Sequence, residues 1–290
     1  MDTPKVSIII RAFNADDYLA DALESVVNQT FSEPMEVLVL YDKGSTTKRA
    51  VEITINYIKN NKNDFIEIKL IEHEHVTPFR AYNLGLNLAT GEYTCFLDYD
   101  NIYEKNFIEY LYKNLKKGFN LVYTYATFLD ENLNFLEIQK NYSLLFKLAR
   151  IFLNPPEYLD TKKLLVYNYI DASSFMFDGK CKRILIEKFD KLKHRYFDWV
   201  YEDWLSALIL AKEGVKSKLV KDVTYYYRIH EKNITMSYQK RDFPKELTHL
   251  EREIKTLKTF EFIYKNSLTL TEKLLLKLML IRKLFKTVTF

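Results

Sequence analysis

The sequence is poor in glycine, and the few glycines never fall in the spacing of a nucleotide-binding loop. It has six glycines in 290 residues, and no two of them are separated by a single residue. The G-x-G-x-x-G fingerprint of dinucleotide-binding folds is therefore absent, and so is the P-loop pattern G-x-x-x-x-G-K-[ST]. These absences argue against a nicotinamide-dependent enzyme and against a P-loop NTPase.

Cysteines and long apolar runs are also scarce. Cys95 and Cys181 are the only cysteines, and they lack metal-type spacing, so we expect neither a disulfide framework nor a zinc site. No run reaches the roughly 18 apolar residues of a spanning helix. The segment from Met1 to Lys5 leads directly into a strand, so we expect no signal peptide and a cytoplasmic protein.

Charge is nearly balanced, but it is unevenly placed. The net charge is +4, which is too small to predict a nucleic-acid partner, and 48% of the residues are hydrophobic, which is ample for a core. From Lys240 to the end, 12 Lys and Arg stand against 6 Asp and Glu, so the rest of the chain is slightly acidic. The basic character therefore belongs to the C-terminal region.

Strand and helix patterns alternate over the first 125 residues. Strands are predicted at Val6 to Ile10, Glu36 to Leu40, Ile66 to Ile71 and Tyr93 to Leu97, and helices at Ala15 to Asn28, Thr47 to Asn60 and Pro78 to Ala89. Such alternation predicts an α/β fold in which helices cover both faces of a parallel sheet.

Two carboxylates stand where the fourth predicted strand ends. Asp98 and Asp100 follow the apolar run that ends at Leu97, and ligands of open parallel sheets bind at the carboxyl edge of the strands. Carboxylate oxygens suit Mg²⁺ or Mn²⁺, which fill their remaining positions with water and phosphate oxygens. The alternative is an ordinary solvated turn at the end of a strand.

The order of these pieces resembles the family 2 glycosyltransferases of the GT-A fold. The matching pieces are Val6 to Ile10, Asn14, Tyr18 to Phe31, Val37 to Ser45, Ala81 to Leu86, Ala89 to Tyr93, Phe96 to Asp100, Asp171 to Phe177, Tyr201 to Trp204 and Tyr227 to His230. The resemblance implies a Rossmann-like, mostly parallel central sheet with helices on both faces, followed by a C-terminal helical extension.

The resemblance also implies a donor site. It predicts that Asp98 and Asp100 hold Mn²⁺ or Mg²⁺ and that Asp42 contacts the base of a nucleotide-diphosphate sugar, with a UDP-sugar expected. The residues predicted to bind the donor and its metal are Arg11, Ala12, Phe13, Asp42, Arg80, Asp98, Tyr99 and His230. Departures from the family pattern are Arg11-Ala12-Phe13 in place of Pro-Thr-Tyr, Tyr41 in place of an aspartate, and Asn101 in place of a third one.

A second carboxylate pair, Glu202 and Asp203, begins a predicted helix. The family resemblance implies that Asp203 is the general base that takes the proton from the acceptor hydroxyl. The alternative is that this pair only caps the helix, where carboxylates are electrostatically favoured.

Three basic side chains remain open to two interpretations. The resemblance implies that His230 approaches the metal or the diphosphate, but a lone histidine is more often structural. Arg228 and Arg80 could contact phosphate or pair with a carboxylate.

The resemblance divides the chain into a glycosyltransferase domain at 1–237 and an extension at 238–290. Residues 1–125 are expected to bind the nucleotide sugar and 126–237 the acceptor. The family pattern is lost between Asn134 and Asn168, and it returns at Asp171 to Phe177, which is predicted as a strand. The pattern from Thr269 to Lys286 predicts a basic amphipathic helix. Such a helix can lie on the inner face of a membrane, form a homodimer contact, or cap its own domain.

The resemblance thus implies an inverting, metal-dependent hexosyltransferase. The expected acceptor is a hydroxyl of a glycan, of a lipid-linked molecule or of a cell-surface polysaccharide precursor. Two alternatives stay open: a nucleotidyltransferase acting on sugar phosphates, and a catalytically silent carbohydrate-binding or scaffold protein with the same fold.

Overall fold

The computed structural model describes residues 4–15, 18–60, 63–136, 155–193, 195–230 and 249–288. The strands are β1 Val6–Ala12, β2 Met35–Asp42, β3 Ile66–His73, β4 Tyr93–Asp98, β5 Ile102–Tyr103, β6 Leu121–Leu129, β7 Phe175–Asp178 and β8 Ser217–Arg228. The α-helices are α1 Leu19–Val27, α2 Arg49–Asn60, α3 Pro78–Leu88, α4 Phe107–Leu115, α5 Thr161–Val166, α6 Gly179–Phe189, α7 Glu202–Lys212, α8 His249–Tyr264 and α9 Leu270–Val288. Short 3-10 helices occupy Ala172–Ser174 and Arg195–Trp199.

One sheet holds the described strands in the order β3-β2-β1-β4-β7-β6-β8-β5. The first four in that order are parallel neighbours, so their carboxyl ends meet at one edge. β1 and β2 are almost entirely buried, as expected for β-branched runs in a sheet covered on both faces. The prediction of a parallel sheet is confirmed for this half of the fold.

The other half of the sheet is mixed. β7 is antiparallel to β4 and to β6, whereas β8 runs parallel to β6. The two-residue strand β5 pairs antiparallel with β8, through Ile102 opposite Tyr226 and Tyr103 opposite Tyr225. This pairing brings the turn after β4 next to the end of β8.

Each face of the sheet carries its own apolar core. Ile8 and Ile10 point into a cluster beneath α1 and α4, while Ile9 points into a larger cluster beneath α3, α6 and α7. Gly85 of α3 lies directly against Ile9, since a Cβ at this position would come within 2.7 Å of the Ile9 Cγ2 atom. A side chain at position 85 would therefore push α3 away from the sheet.

Predicted element boundaries agree closely with the structure, and two segments differ. The stretch from Asp171 to Phe177 was expected as one strand, but it begins as the 3-10 helix Ala172–Ser174, where the Asp171 carboxylate accepts the backbone NH of Ser173. The first helix begins at Leu19 rather than Ala15. Within the stretch from Asn134 to Asn168, residues 137–154 lie outside the described residues.

The C-terminal helices pack on the second half of the fold. α8 contacts α7, and α9 contacts α5 and α8. Leu257, Phe260 and Leu276 are fully buried in the larger core cluster. The predicted helix from Thr269 to Lys286 is present as α9. Among the described residues, none of the helices combines the length and apolar character needed to cross a bilayer.

Candidate active site

Arg11 lies at the carboxyl edge of the sheet and joins two elements there. In the parallel pairing of β1 with β4, Arg11 stands opposite Asp98. Its Nη2 donates to Asp98 Oδ1 at 2.6 Å, and its Nη1 donates to Glu202 Oε1 at the start of α7. Arg11 therefore connects the end of β4 to the first residue of the helix on which the predicted base lies.

Burial and opposite charges set the ionisation of this group. Desolvation by itself would lower the pKa of Arg11, but the nearby carboxylates of Asp98 and Glu202 raise it well above its ordinary value. Burial raises the pKa of Asp98, while Arg11 opposes that shift. The guanidinium thus stays charged between its two carboxylate partners.

Glu202 is the ionised member of the pair that begins α7. Burial alone would raise the pKa of Glu202, but Arg11 and Arg252 lower it below its ordinary value. Arg252, on α8, brings its Nη2 to 3.8 Å from Glu202 Oε2. The C-terminal extension therefore reaches the start of the helix that carries the predicted base.

Asp203 has the opposite electrostatic environment from its neighbour. Burial, followed by the negative charge of Glu202, raises the pKa of Asp203 to about 7. Its Oδ1 accepts the backbone NH of Trp204 at 2.6 Å. The N-cap of α7 is Tyr201, which makes no capping hydrogen bond through its side chain. Asp203 therefore binds an NH of the first turn of α7 without being its N-cap residue, and a pKa near neutrality also suits a general base.

Asp171 is a fourth carboxylate of this site, beside Asp98, Glu202 and Asp203. Burial and the charges of Asp98 and Asp203 raise its pKa well above the ordinary value. It precedes the 3-10 helix Ala172–Ser174, whose Ser173 Oγ accepts the backbone NH of Asp98 at 3.0 Å. The negative charges of Asp98, Asp171 and Asp203 therefore act on one another. Their mutual repulsion disfavours the state in which all three are ionised.

Asp100 and His230 form a separate pair next to this space. His230 Nε2 lies 3.0 Å from Asp100 Oδ2, and the Tyr18 ring packs on the imidazole with centroids 4.5 Å apart. Asn101 supports the pair, since its side chain accepts the backbone NH of Arg228 at 3.3 Å. The β5–β8 pairing explains why residues 130 positions apart meet here.

The Asp100 and His230 donor set suits a metal that is shared with a substrate. Within the described ranges, no group of three or more His, Cys, Asp or Glu residues is arranged to hold a metal ion. Mg²⁺ and Mn²⁺ are usually held by one or two carboxylates together with water and substrate phosphates, and Mn²⁺ also accepts imidazole. Asp100 and His230 fit this limited requirement, whereas Asp98 is committed to Arg11.

Asp42 lies at the carboxyl end of β2 in a small polar cluster. Its carboxylate accepts the backbone NH of Gly44 at 2.7 Å and lies 3.0 Å from His75 Nδ1. The exposed Phe13 ring packs near His75, with centroids 5.4 Å apart. A Cβ at position 44 would come within 2.7 Å of His75 Nδ1, so glycine permits this close approach. The cluster offers a carboxylate and two rings to a planar ligand.

The remaining predicted residues have structural partners. Arg80 donates from Nε to Asp198 Oδ1 at 2.6 Å and from Nη2 to the Leu192 carbonyl at 2.9 Å. Ala12 is buried in a core cluster, and Tyr99 is half-buried against that cluster.

Arg228 also has a carboxylate partner. Its Nη2 donates to Asp21 Oδ2 at 2.7 Å, and its guanidinium lies 4.5 Å from the centroid of the Tyr18 ring. These contacts favour pairing with a carboxylate for Arg80 and Arg228 alike.

Sequence reasoning missed three residues of the site. His75 follows β3, the strand beside β2, so its position at the shared carboxyl edge was a usable signal. Asp171 directly precedes the Ala-Ser-Ser segment and was taken only as part of a strand. Arg252 had no such signal, because its contact with Glu202 depends on how α8 packs on α7.

Comparisons with known proteins agree with this arrangement. Glycosyl transferase family 2 matches residues 7–183. An uncharacterized glycosyltransferase of Haemophilus influenzae is 26% identical over 82% of this chain and 73% of its own length. The UDP-Glc:alpha-D-GlcNAc-diphosphoundecaprenol beta-1,3-glucosyltransferase WfaP of Escherichia coli is 27% identical over 78% of this chain and 77% of its own length.

A solved structure gives the same fold. The crystal structure of S. aureus TarS 1–349 in complex with UDP-GlcNAc covers 97% of this chain and 73% of its own, with a TM-score of 0.65 and 16% identity. The predicted GT-A fold, with its mixed sheet and C-terminal helices, is therefore confirmed. Because the family match spans more than half of the sequence, the chain belongs to glycosyl transferase family 2 and is a glycosyltransferase.

Proposed function

We propose that this glycosyltransferase moves a sugar from a nucleotide-diphosphate sugar to an acceptor hydroxyl with inversion and with the help of a divalent metal. The observation that carries the proposal is the environment of Asp203, whose pKa is raised to about 7 by burial and by Glu202. A carboxyl group of this kind accepts a proton near neutral pH far better than an ordinary aspartate.

Asp203 would act on the acceptor. Its carboxylate takes the hydroxyl proton while the acceptor oxygen forms a bond to the anomeric carbon. The bond from that carbon to the diphosphate oxygen breaks at the same time, and the leaving diphosphate keeps the electron pair. One displacement inverts the configuration at the anomeric carbon. General-base help of this kind contributes about 10²- to 10⁴-fold in rate.

Asp100 and His230 would hold the metal together with the donor diphosphate. When bound, the ion supplies Lewis-acid stabilisation of the negative charge on the leaving group. Arg11 keeps Asp98 in place through a 2.6 Å hydrogen bond, so the end of β4 presents a fixed surface to the donor. This assignment makes Asp98 a positioning residue in our proposal, with Asp100 as the carboxylate ligand.

The cluster of Asp42, His75 and Phe13 would bind the nucleoside. Asp42 can accept a hydrogen bond from a base, and the exposed Phe13 ring can stack on it. We propose a UDP-sugar donor, which the UDP-GlcNAc bound to the structurally similar TarS supports.

The acceptor proposed for this chain rests on the name of a relative and on the positions of Asp171 and Asp203. The name of the E. coli relative describes a diphosphoundecaprenol-linked acceptor, and we propose a lipid-linked or glycan acceptor for this chain. Residues 1–125 would bind most of the donor and 126–237 the acceptor, since Asp171 and Asp203 belong to the second segment, from which His230 alone would reach the metal at the donor. The two free, buried cysteines, Cys95 and Cys181, suit a cytoplasmic enzyme.

The test is a thermal-shift panel of UDP, GDP, CDP and dTDP, each with and without Mn²⁺. A ligand that binds only the folded state raises the melting temperature. At a ligand concentration of 100 times the dissociation constant, it adds about 2.7 kcal/mol to the free energy of unfolding. We expect UDP with Mn²⁺ to stabilise the wild type and to fail with Asp100→Ala. The control is Asp222→Ala, which removes an exposed carboxylate on β8.

Two results would contradict the proposal. Stabilisation by a nucleotide diphosphate that needs neither Mn²⁺ nor Asp100 would remove the metal from the donor site. If none of the four nucleotide diphosphates stabilised the protein, the proposed nucleotide site would be wrong. This conclusion would hold whatever effect a change at Asp203 has on transfer.

A further inference from the structure

α9 has two apolar sides, and only one of them faces the protein. Leu276 and Met279 are buried in the larger core cluster. The opposite side exposes Leu270 at 85%, Leu274 at 57%, Leu278 at 53% and Ile281 at 49%. We call these four side chains the outer stripe. The inner side already caps the domain, so capping does not explain the outer stripe.

The spacing of the outer stripe makes it continuous. At 3.6 residues per turn, its four positions fall within an arc of about 80° on the helix surface. Lys273 and Lys277 flank the arc on one side and Arg282 flanks it on the other, and all three are exposed. The stripe is therefore an apolar band with cations along both edges.

The exposed residues of α9 that the structure describes include no carboxylate. Glu272 is the single acidic residue in the sequence of α9. It is only 6% exposed, and its Oε2 accepts a hydrogen bond from Lys212 Nζ at 2.7 Å. The described outward side of α9 therefore combines apolar and cationic groups with the uncharged Thr271 and carries no carboxylate. That combination complements an anionic lipid surface, in which acyl chains lie beneath negative headgroups.

A second copy of the chain fits this surface poorly. Apposing two outer stripes would bring Lys273, Lys277 and Arg282 of both copies together, which is repulsive. We propose that α9 lies on an anionic lipid surface, with the outer stripe at the acyl boundary and the three cations at the headgroups. Each cation near such a surface and each buried methylene strengthens the attachment, which remains reversible.

The experiment is vesicle co-sedimentation of the full chain without nucleotide or acceptor, so its result does not depend on the proposed catalytic function. The probes are vesicles of phosphatidylcholine alone and of an equal mixture of phosphatidylcholine and phosphatidylglycerol. We expect binding to the anionic vesicles only, and weaker binding as salt rises and screens the cations.

Two double variants separate the apolar and the cationic contributions. Leu274→Gln with Leu278→Gln keeps good helix formers while removing apolar area, and we expect it to weaken binding by roughly tenfold or more. Lys273→Gln with Lys277→Gln should weaken it by roughly tenfold as well. The controls, Ile55→Gln with Ile58→Gln and Lys59→Gln with Lys117→Gln, change exposed aliphatic and cationic residues elsewhere and should bind as the wild type does.

Three outcomes would overturn the proposal. Failure of the wild type to sediment with anionic vesicles is the first, and equal binding to neutral vesicles is the second. The third is a wild-type dimer in sedimentation equilibrium that Leu274→Gln with Leu278→Gln converts to a monomer, since the stripe would then face a second copy. Circular dichroism and the melting temperature of each variant show whether a loss of binding reflects a loss of folding.

Discussion

The end of β4 and the start of α7 each present two carboxylates, and Arg11 binds one from each place. It takes Asp98 from the first pair and Glu202 from the second. The second member of each pair has another environment: Asp100 faces His230, and Asp203 accepts the NH of Trp204. Carboxylates at neighbouring positions thus acquire different partners, and at α7 their pKa values shift in opposite directions.

One buried cation, Arg11, gives the four carboxylates different environments, because it binds one member of each pair and not the other. Arg11 fixes the position of the carboxylate that it binds in each pair, and at α7 that carboxylate, Glu202, has a lowered pKa. The charge of Glu202 then helps to raise the pKa of Asp203. Environments that push the pKa values of two acids apart are a common way to create a base at neutral pH.

The largest effect is expected from Asp203→Asn. We expect transfer to fall by about 10²- to 10⁴-fold, because the acceptor proton loses its base. Stabilisation by UDP and Mn²⁺ should be unchanged. The control, Asp222→Asn, alters an exposed carboxylate and should leave turnover intact. An equal loss of donor binding in Asp203→Asn would contradict the assignment.

The same variant also separates catalysis from capping. The pKa of Asp203 rises from 3.8 to about 7 on folding, so the folded state loses stability as pH increases through this window. Asparagine carries no such titration. The melting temperature of Asp203→Asn relative to wild type should therefore be higher at about pH 8 than at about pH 5. A residue that mainly caps α7 would show a loss of stability that persists at high pH.

Arg11→Ala removes the cation that binds one carboxylate of each pair, and we expect it to lower stability. Removing one partner of a buried ion pair costs about 3–5 kcal/mol of stability, and here two carboxylates lose their partner. Arg11→Lys should recover part of the stability, since one ammonium cannot reproduce both guanidinium contacts. Thermal unfolding measures both, with the exposed Arg49→Ala as control. A wild-type melting temperature in Arg11→Ala would show that the bridge is energetically unimportant.

Glu202→Gln tests whether the charge of Glu202 raises the pKa of Asp203. Loss of the Glu202 charge removes one of the causes that raise the pKa of Asp203 to about 7. The base then stays deprotonated in more acidic solution, so the acid limb of kcat/KM should move to lower pH. An acid limb that stays in place, or moves upward, would show that Glu202 does not tune the base.

The smallest effect is expected from His75→Ala, which changes neither carboxylate pair. Loss of one ring from the proposed nucleoside site should raise KM for the donor by roughly tenfold or less, in line with about 0.5–1.5 kcal/mol for an aromatic contact. The pH profile of kcat/KM should keep its shape, which makes this variant the reference for Glu202→Gln. A changed acid limb would place His75 in the proton chemistry instead.

Much of the first half of the fold could be predicted because its signals are local. Continuous β-branched runs such as Val6 to Ile10 and the opening proline of α3 define buried strands and helix starts without knowledge of the partners. Asp42, Asp98 and Asp203 could be singled out because each stands at a recognisable strand end or helix start.

The rest of the site depends on contacts between distant segments. The sequence did not predict that Asp98 and Asp100 would have different partners, because β4 ends at Asp98 and alternation of side chains stops there. The Asp100–His230 pair depends on the two-residue strand β5, and the Glu202–Arg252 pair depends on the packing of α8. Such pairings carry no periodicity that a single sequence could reveal.

Trp204 gives the protein an internal optical reporter. Its backbone NH is bound by the Asp203 carboxylate, its indole Nε1 donates to the Leu164 carbonyl at 2.8 Å, and it is 1% exposed. The chain has only two tryptophans, the other being Trp199. With Trp199→Phe as background, fluorescence emission should follow the protonation of Asp203, so acceptor binding and proton transfer could be timed in a stopped-flow experiment without any added label.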